Sequence, residues 1–254
     1  MSLVVRDVTL EDRAAIAEIS IRAVWDDEYA KCVWPTYTLE QRIAGSYARW
    51  SKTFLTAEST YFAKVTDGEK TIAYAQWSLP DRFCAQQRAA KQQGLPDTQL
   101  EQYFEEANDS LAEPGWPRGM RKDVAESIMP AMEEARKAFP EGEYCMGTYL
   151  RQTIMFNPIS CREADLVELV LLRTLPEYQR RGAGRMLVQW GCDFADANDL
   201  PILLEATPYG VNLYEKCGFR TVAEAHHDLS AFGGPDRYTH RMMFRRPRSI
   251  GSKP

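Results

Sequence analysis

The stretch Gln179-Arg180-Arg181-Gly182-Ala183-Gly184 follows an apolar run and stands directly before Arg185-Met186-Leu187-Val188-Gln189-Trp190, whose spacing is helical. Glycines at positions 182 and 184 let the backbone approach a bulky anion. The first turn of the helix behind them offers N–H groups without intrahelical partners and the positive end of a dipole. Such a bend suits a pyrophosphate. A nucleotide P-loop would need Gly-Lys-Ser/Thr, but Arg185 and Met186 follow Gly184; a dinucleotide fingerprint would need a third small residue where Leu187 stands. Neither pattern fits. The cysteines at 32, 84, 145, 161, 192 and 217 include no C-x-x-C pair, and His226, His227 and His240 lack metal-ligand spacing. No zinc site, disulfide framework or Cys-His nucleophile is indicated.

The elements that must hold this bend alternate in type. Leu3 to Arg6 reads as a strand, and Thr9 can cap a helix running to Arg22. Residues 25–38 read as irregular and 39–54 as helical, and strands at 60–65 and 71–79 flank an Asp67-Gly68 turn, which predicts a hairpin. Residues 80–161 differ in texture and read as a helical insertion. In it, Glu113-Pro114-Gly115-Trp116-Pro117 predicts neither regular helix nor sheet, and Pro130 should kink or divide a helical stripe that runs from Val124 to Phe139. From Leu166 the order becomes strand to Arg173, glycine turn, helix 184–197, strand 202–206, short helix 211–217, and strands around 219–223 and 238–244.

Gln179-x-x-Gly182-x-Gly184, together with Leu213-Tyr214-Glu215-Lys216-Cys217-Gly218-Phe219 one helix and one strand later, resembles the GNAT superfamily of N-acetyltransferases. The resemblance spans about residues 166–219 and leaves 80–161 uncovered. It implies a single α/β domain over 1–254 with a mixed, largely antiparallel sheet, flanking helices and the insertion, which could act as a substrate lid. It also implies acetyl-CoA, its pyrophosphate held by main-chain amides along Gln179, Arg180, Arg181, Gly182, Ala183, Gly184 and Arg185, and its pantetheine arm beside Leu171, Leu172 and Arg173. In the family a free strand amide polarises the thioester carbonyl, and the matching position is near Leu172. Tyr214 matches the tyrosine that hydrogen-bonds or protonates the departing thiolate, or else anchors the short helix. Glu168 lies fourteen residues before Gly182, where histone-acetylating relatives carry a general base. A primary amine, with a pKa of about 10.4, must lose a proton before it can attack, and a carboxylate can accept it. The alternative for Glu168 is a solvent-facing or arginine-paired side chain. Thr207 stands where many relatives have an Asn that contacts the pantetheine. Glu205 could also serve the amine, although an exposed strand-end carboxylate is the simpler expectation.

With 31 Lys plus Arg against 36 Asp plus Glu, the net charge of -5 argues against a sequence-independent nucleic-acid binder. No signal-like leader or membrane-length apolar run is seen, so the expectation is a soluble, cytoplasmic protein with no membrane or nucleic-acid partner and an open oligomeric state. Trp25, Tyr29, Trp34, Tyr37, Trp77, Phe83 and Trp116 could wall a small-molecule pocket, although most should be core or loop anchors. The leading reading is direct transfer of acetyl from acetyl-CoA to a primary amine of a small molecule, without a metal or an acyl-enzyme. Acetylation of protein lysines or N-termini is the enzymatic alternative, and a CoA-binding regulatory module without turnover is the non-enzymatic one.

Overall fold

The computed structural model describes residues 2–84, 91, 94–139 and 165–248. Strand β1 (Leu3–Asp7) leads into a single 3-10 turn, Leu10–Asp12, where the Thr9 N–H donates to the Asp12 carboxylate at 2.9 Å, and then into α1 (Arg13–Arg22). Residues 25–38 are not wholly irregular, because Glu28–Val33 forms α2. Its N-terminus is capped by Asp27, whose Oδ1 accepts from the Ala30 N–H at 2.8 Å. Six residues are too few to reveal a helical period. α3 (Leu39–Thr56) precedes the hairpin of β2 (Thr60–Asp67) and β3 (Lys70–Ser78), which turns at Gly68 with φ of +64°.

Within the expected insertion, α4 (Asp97–Asp109) packs on α3. Contrary to expectation, residues 111–117 do form sheet: β4 (Leu111–Glu113) pairs with β5 (Trp116–Pro117) around Gly115, whose φ of +82° supplies the tight reversal. Pro130 divides the following stripe as its chemistry demands, giving α5 (Lys122–Ser127) and α6 (Met129–Arg136), with the proline in the first turn of α6 where its missing N–H costs nothing. Residues 140–161 of the insertion, with Cys145 and Cys161, lie outside the described residues. β6 (Val167–Thr174), α7 (Ala183–Ala197), β7 (Ile202–Ala206), α8 (Val211–Lys216), β8 (Arg220–His227) and β9 (Tyr238–Arg245) follow.

Seven strands form one sheet in the order β1-β2-β3-β6-β7-β9-β8, antiparallel throughout except for the parallel pair β6–β7. This is the mixed, largely antiparallel architecture expected from the sequence. Alternation along each strand sends side chains to two faces. Ala63, Ala73, Trp77, Val167, Leu204 and Met243 meet α7 and α8 on one face. On the other, Phe62 and Tyr74 pack with α1 and α3, while Leu203, Met242 and Phe244 pack with α2, α5 and α6. No helix among the described residues is long and apolar enough to cross a membrane.

α7 lies close to the sheet because Gly191 faces the buried indole of Trp77. A Cβ at this position would stand 2.3 Å from Trp77 Cη2. Gly191→Val should therefore destabilise the fold by about 1–3 kcal/mol through overpacking, read as a lower urea midpoint with an unchanged slope.

Candidate active site

β6 parts from β7 within its own length. Val167, Glu168 and Leu169 pair with Ile202, Leu203 and Leu204, and the pairing stops there, although β7 continues to Ala206 against β9. On its other side β6 carries one extra residue. Leu169 opposes Trp77 and Leu171 opposes Gln76, which leaves Val170 as a bulge. The bulge reverses which way the backbone groups point. The Val167 N–H donates to Pro201 on the β7 side at 2.9 Å, whereas the Leu175 N–H, an even number of residues later, donates to Ile72 on the β3 side at 2.9 Å. Regular alternation back from Leu175 turns the N–H groups of Leu171 and Arg173 toward β3 and those of Leu172 and Thr174 toward the gap left by β7.

The glycine bend closes one end of this gap. Arg180 and Gly182 both have left-handed backbones, with φ of 61° and 95°. Gly182 is the N-cap of α7 and supplies no side-chain cap, so the first N–H groups of that helix are left for an external acceptor. A Cβ at Gly182 would meet nothing within 4 Å, so the space before these amides is open. One at Gly184 would lie 3.4 Å from Leu213 and 3.7 Å from both Leu172 and Thr174, which brings the bend against the gap. The exposed side chains of Arg180, Arg181 and Arg185 surround it with positive charge. An open, positively charged cradle continuous with a strand gap fits a diphosphate with a narrow arm. The Gln179 amide is tied back to the Thr174 carbonyl at 3.4 Å, and Thr207 begins the turn that leads into α8, accepting from the Gly210 N–H at 3.0 Å. Leu171 turns its side chain to the α1–α3 face, away from the bend.

Glu168 is buried, not solvent-facing, on the face covered by α6. Burial, with the nearby Glu205 charge, pushes its carboxyl up from 4.5 to about 8, partly opposed by Arg136. Glu205 is likewise not an exposed strand-end carboxylate: Arg136 of α6 grips it with Nε to Oε1 at 2.6 Å and Nη2 to Oε2 at 3.3 Å, both side chains being almost fully covered. Close by, His227 Nε2 and His240 Nδ1 share a hydrogen bond at 3.0 Å. Burial lowers these rings to about 4 and about 3, so both are neutral at neutral pH.

The family model of the acetyltransferase (GNAT) domain matches residues 99–228, just over half of the chain. The chain belongs to this family. In sequence, 46 residues are 35% identical to Probable acyltransferase SID5 of Ajellomyces capsulatus, covering 18% of this chain and 34% of that one, so the match spans about a third of the relative's length. In structure, a histone acetyltransferase HPA2 and related acetyltransferase from Corynebacterium glutamicum aligns with a TM-score of 0.53 at 16% identity, covering 99% of each chain. The mosquito arylalkylamine N-acetyltransferase like 5b aligns with a TM-score of 0.52 at 16% identity, covering 96% of this chain and 100% of that one. Both likenesses are of fold. The family so matched is one of acetyltransferases, which are acyltransferases, and the GNAT domain uses acetyl-CoA.

In this GNAT chain, Tyr214 lies on the α7 face, buried, with its ring edge-on to Phe219, and burial pushes its hydroxyl up to about 12. Glu168 and Tyr214 thus occupy opposite faces of the sheet and touch different neighbours. The sequence reading did not single out Arg136, Asp27, Tyr238 or the paired imidazoles as parts of one buried polar patch. Asp27 Oδ2 accepts from the Tyr238 hydroxyl at 2.8 Å, joining α2 to β9 across 211 residues, a separation over which no local pattern carries a signal. Of the aromatic candidates, Trp77 and Trp116 are core residues, Phe83 packs on Phe194, and Tyr37 leans on Trp34.

A carboxyl raised from 4.5 to about 8 holds its proton more tightly in the folded chain than in the unfolded one, so stability falls as pH rises through that window. Glu168→Gln should remove this slope. Urea midpoints at several pH values between 5 and 8 should decline less in the variant than in the wild type.

Proposed function

We propose that the chain is an N-acetyltransferase that passes the acetyl group of acetyl-CoA directly to a primary amine of a small molecule. What carries this reading is the Leu172 N–H, turned by the Val170 bulge into a gap that ends at an open helix N-terminus. Acetyl-CoA supplies the activated acetyl thioester. The amides from Arg181 to Arg185 would donate to its diphosphate, with Gln179 and Arg180 shaping the bend and Leu172 and Thr207 bordering the arm, whereas Leu171 and Arg173 turn their N–H groups to β3 and their side chains to the α1–α3 face. The Leu172 N–H donates to the oxygen that gains negative charge as the amine nitrogen attacks, and one such preorganised donor contributes on the order of 3 kcal/mol. Glu168, raised toward neutrality, accepts the ammonium proton and frees the nitrogen lone pair. The Tyr214 hydroxyl would protonate the departing sulfur as the C–N bond replaces the C–S bond, and the resulting tyrosinate would be reprotonated by the second proton leaving nitrogen.

Gly182→Trp should keep its fold by circular dichroism and lose acetyl-CoA affinity by calorimetry; unchanged affinity would reject the cradle. The pH profile of kcat/KM should rise with an apparent pKa near 8 in the wild type and lose that limb in Glu168→Gln. Tyr214→Phe should lower kcat about 100-fold with little change in KM, in the range of general acid catalysis. If CoA release accompanies peptides and not small amines, the acceptor is protein; if it accompanies neither, the chain binds without turnover.

A further inference from the structure

Two guanidinium groups lie beneath the α1–α3 side of the sheet without a carboxylate partner. Arg42, in the first turn of α3, is 7% exposed, and its guanidinium lies between the indoles of Trp25 and Trp34, 5.5 and 5.3 Å from their ring centres. Arg173 is directly opposite Tyr74 in the β3–β6 register and so shares its face. Tyr74 is hydrogen-bonded to Ser20 of α1 at 2.6 Å, which identifies that face as the one under α1 and α3. Both Nε atoms are buried without a hydrogen-bond partner, and neither arginine makes an ion pair among the described residues. Arg173 spends one N–H on the Leu172 carbonyl at 3.1 Å.

The two charges act on each other. Burial, then Arg173, lowers Arg42 to about 10, and the Asp27 charge opposes this shift. Asp27 does not satisfy either arginine directly, because its oxygens accept from the Ala30 N–H and the Tyr238 hydroxyl. Two cations facing one committed carboxylate leave one positive charge in excess. Burying like charges together with idle donors is costly, and a planar guanidinium fork matches a carboxylate in particular.

We propose that Arg42 and Arg173 form the subsite for a carboxylate carried by the acceptor, so that the amine acetylated is that of an amino acid. This deepens the N-acetyltransferase reading and rests on it. Arg173 follows Leu172 in β6, so a carboxylate held there lies close to the amide that faces the reacting carbonyl. Glu168, on the same face of the sheet, remains available to the amine. The subsite is separate from the diphosphate cradle, which lies on the α7 face beside Gly184.

The test uses matched pairs differing only in the carboxylate: phenylalanine with phenethylamine, histidine with histamine, and ornithine with putrescine. Each is titrated calorimetrically into the CoA-bound full chain and assayed for CoA release. Expected is tighter binding and at least about tenfold higher kcat/KM for the amino acid of a recognised pair, a gap of about 1.4 kcal/mol or more. Arg42→Gln and Arg173→Gln should abolish the preference, mainly through KM, Arg42→Lys should restore part of it, and CoA affinity should stay within about twofold of wild type. Equal or stronger binding of the decarboxylated partners by the wild type overturns the proposal whether or not a variant folds. So does a loss of CoA affinity in folded variants, which would assign the arginines to the cofactor. Acetylation confined to amines without a carboxylate would leave the N-acetyltransferase reading intact and reject this subsite. Amino-acid binding without any CoA release would do the reverse.

Discussion

One surplus residue on β6 governs the arrangement of the site. With Val170 bulged out, the strand stays bound to β3 along both of its halves while its backbone reverses sense between them, and its pairing with β7 ends after Leu169. An unpaired backbone N–H inside a protein is expensive, and native folds seldom keep one without a partner. Here the N–H groups of Leu172 and Thr174 are kept unpaired by β7 at the place where the bend at Gly182 also withholds side-chain caps from a helix. Two unrelated local irregularities, a strand bulge and an uncapped helix, thus leave donors along one continuous path.

The sheet also divides the chemistry. On the α7 face lie mainly main-chain groups left without partners at the bend and beside the strand gap, together with the buried hydroxyl of Tyr214. On the opposite face the contributors are side chains whose charge is set by burial. Glu205 is pinned by Arg136, and its charge helps to raise Glu168, while the paired histidines are kept neutral. In the proposed reaction the carrier and the acceptor would accordingly be met by different kinds of group.

Where sequence reading succeeded, the determinants were local. The hairpin at Gly68, the split at Pro130 and the bend at 179–184 each follow from the conformational limits of residues within one turn of each other, and all three are present. It failed where the local signal was short or the decisive partner distant. α2 has only six residues, and the ribbon at 111–117 is made of residues whose turn-forming character hid the few that pair. Glu205 has the sequence appearance of an exposed strand end, but Arg136, 69 residues away, lies over it.

The chain's letters alone therefore determined the β2–β3 hairpin, the order of elements from β6 to β9, the glycine bend, and the family to which that bend and the Tyr214 segment belong, because each depends on contacts within a few residues. Only the tertiary structure decided that Glu168 is buried beside Glu205, that Tyr214 lies across the sheet from it, and that Arg42 and Arg173 share one face. Burial and charge proximity depend on which distant segments come to cover a residue, and spacing along the chain carries no record of that.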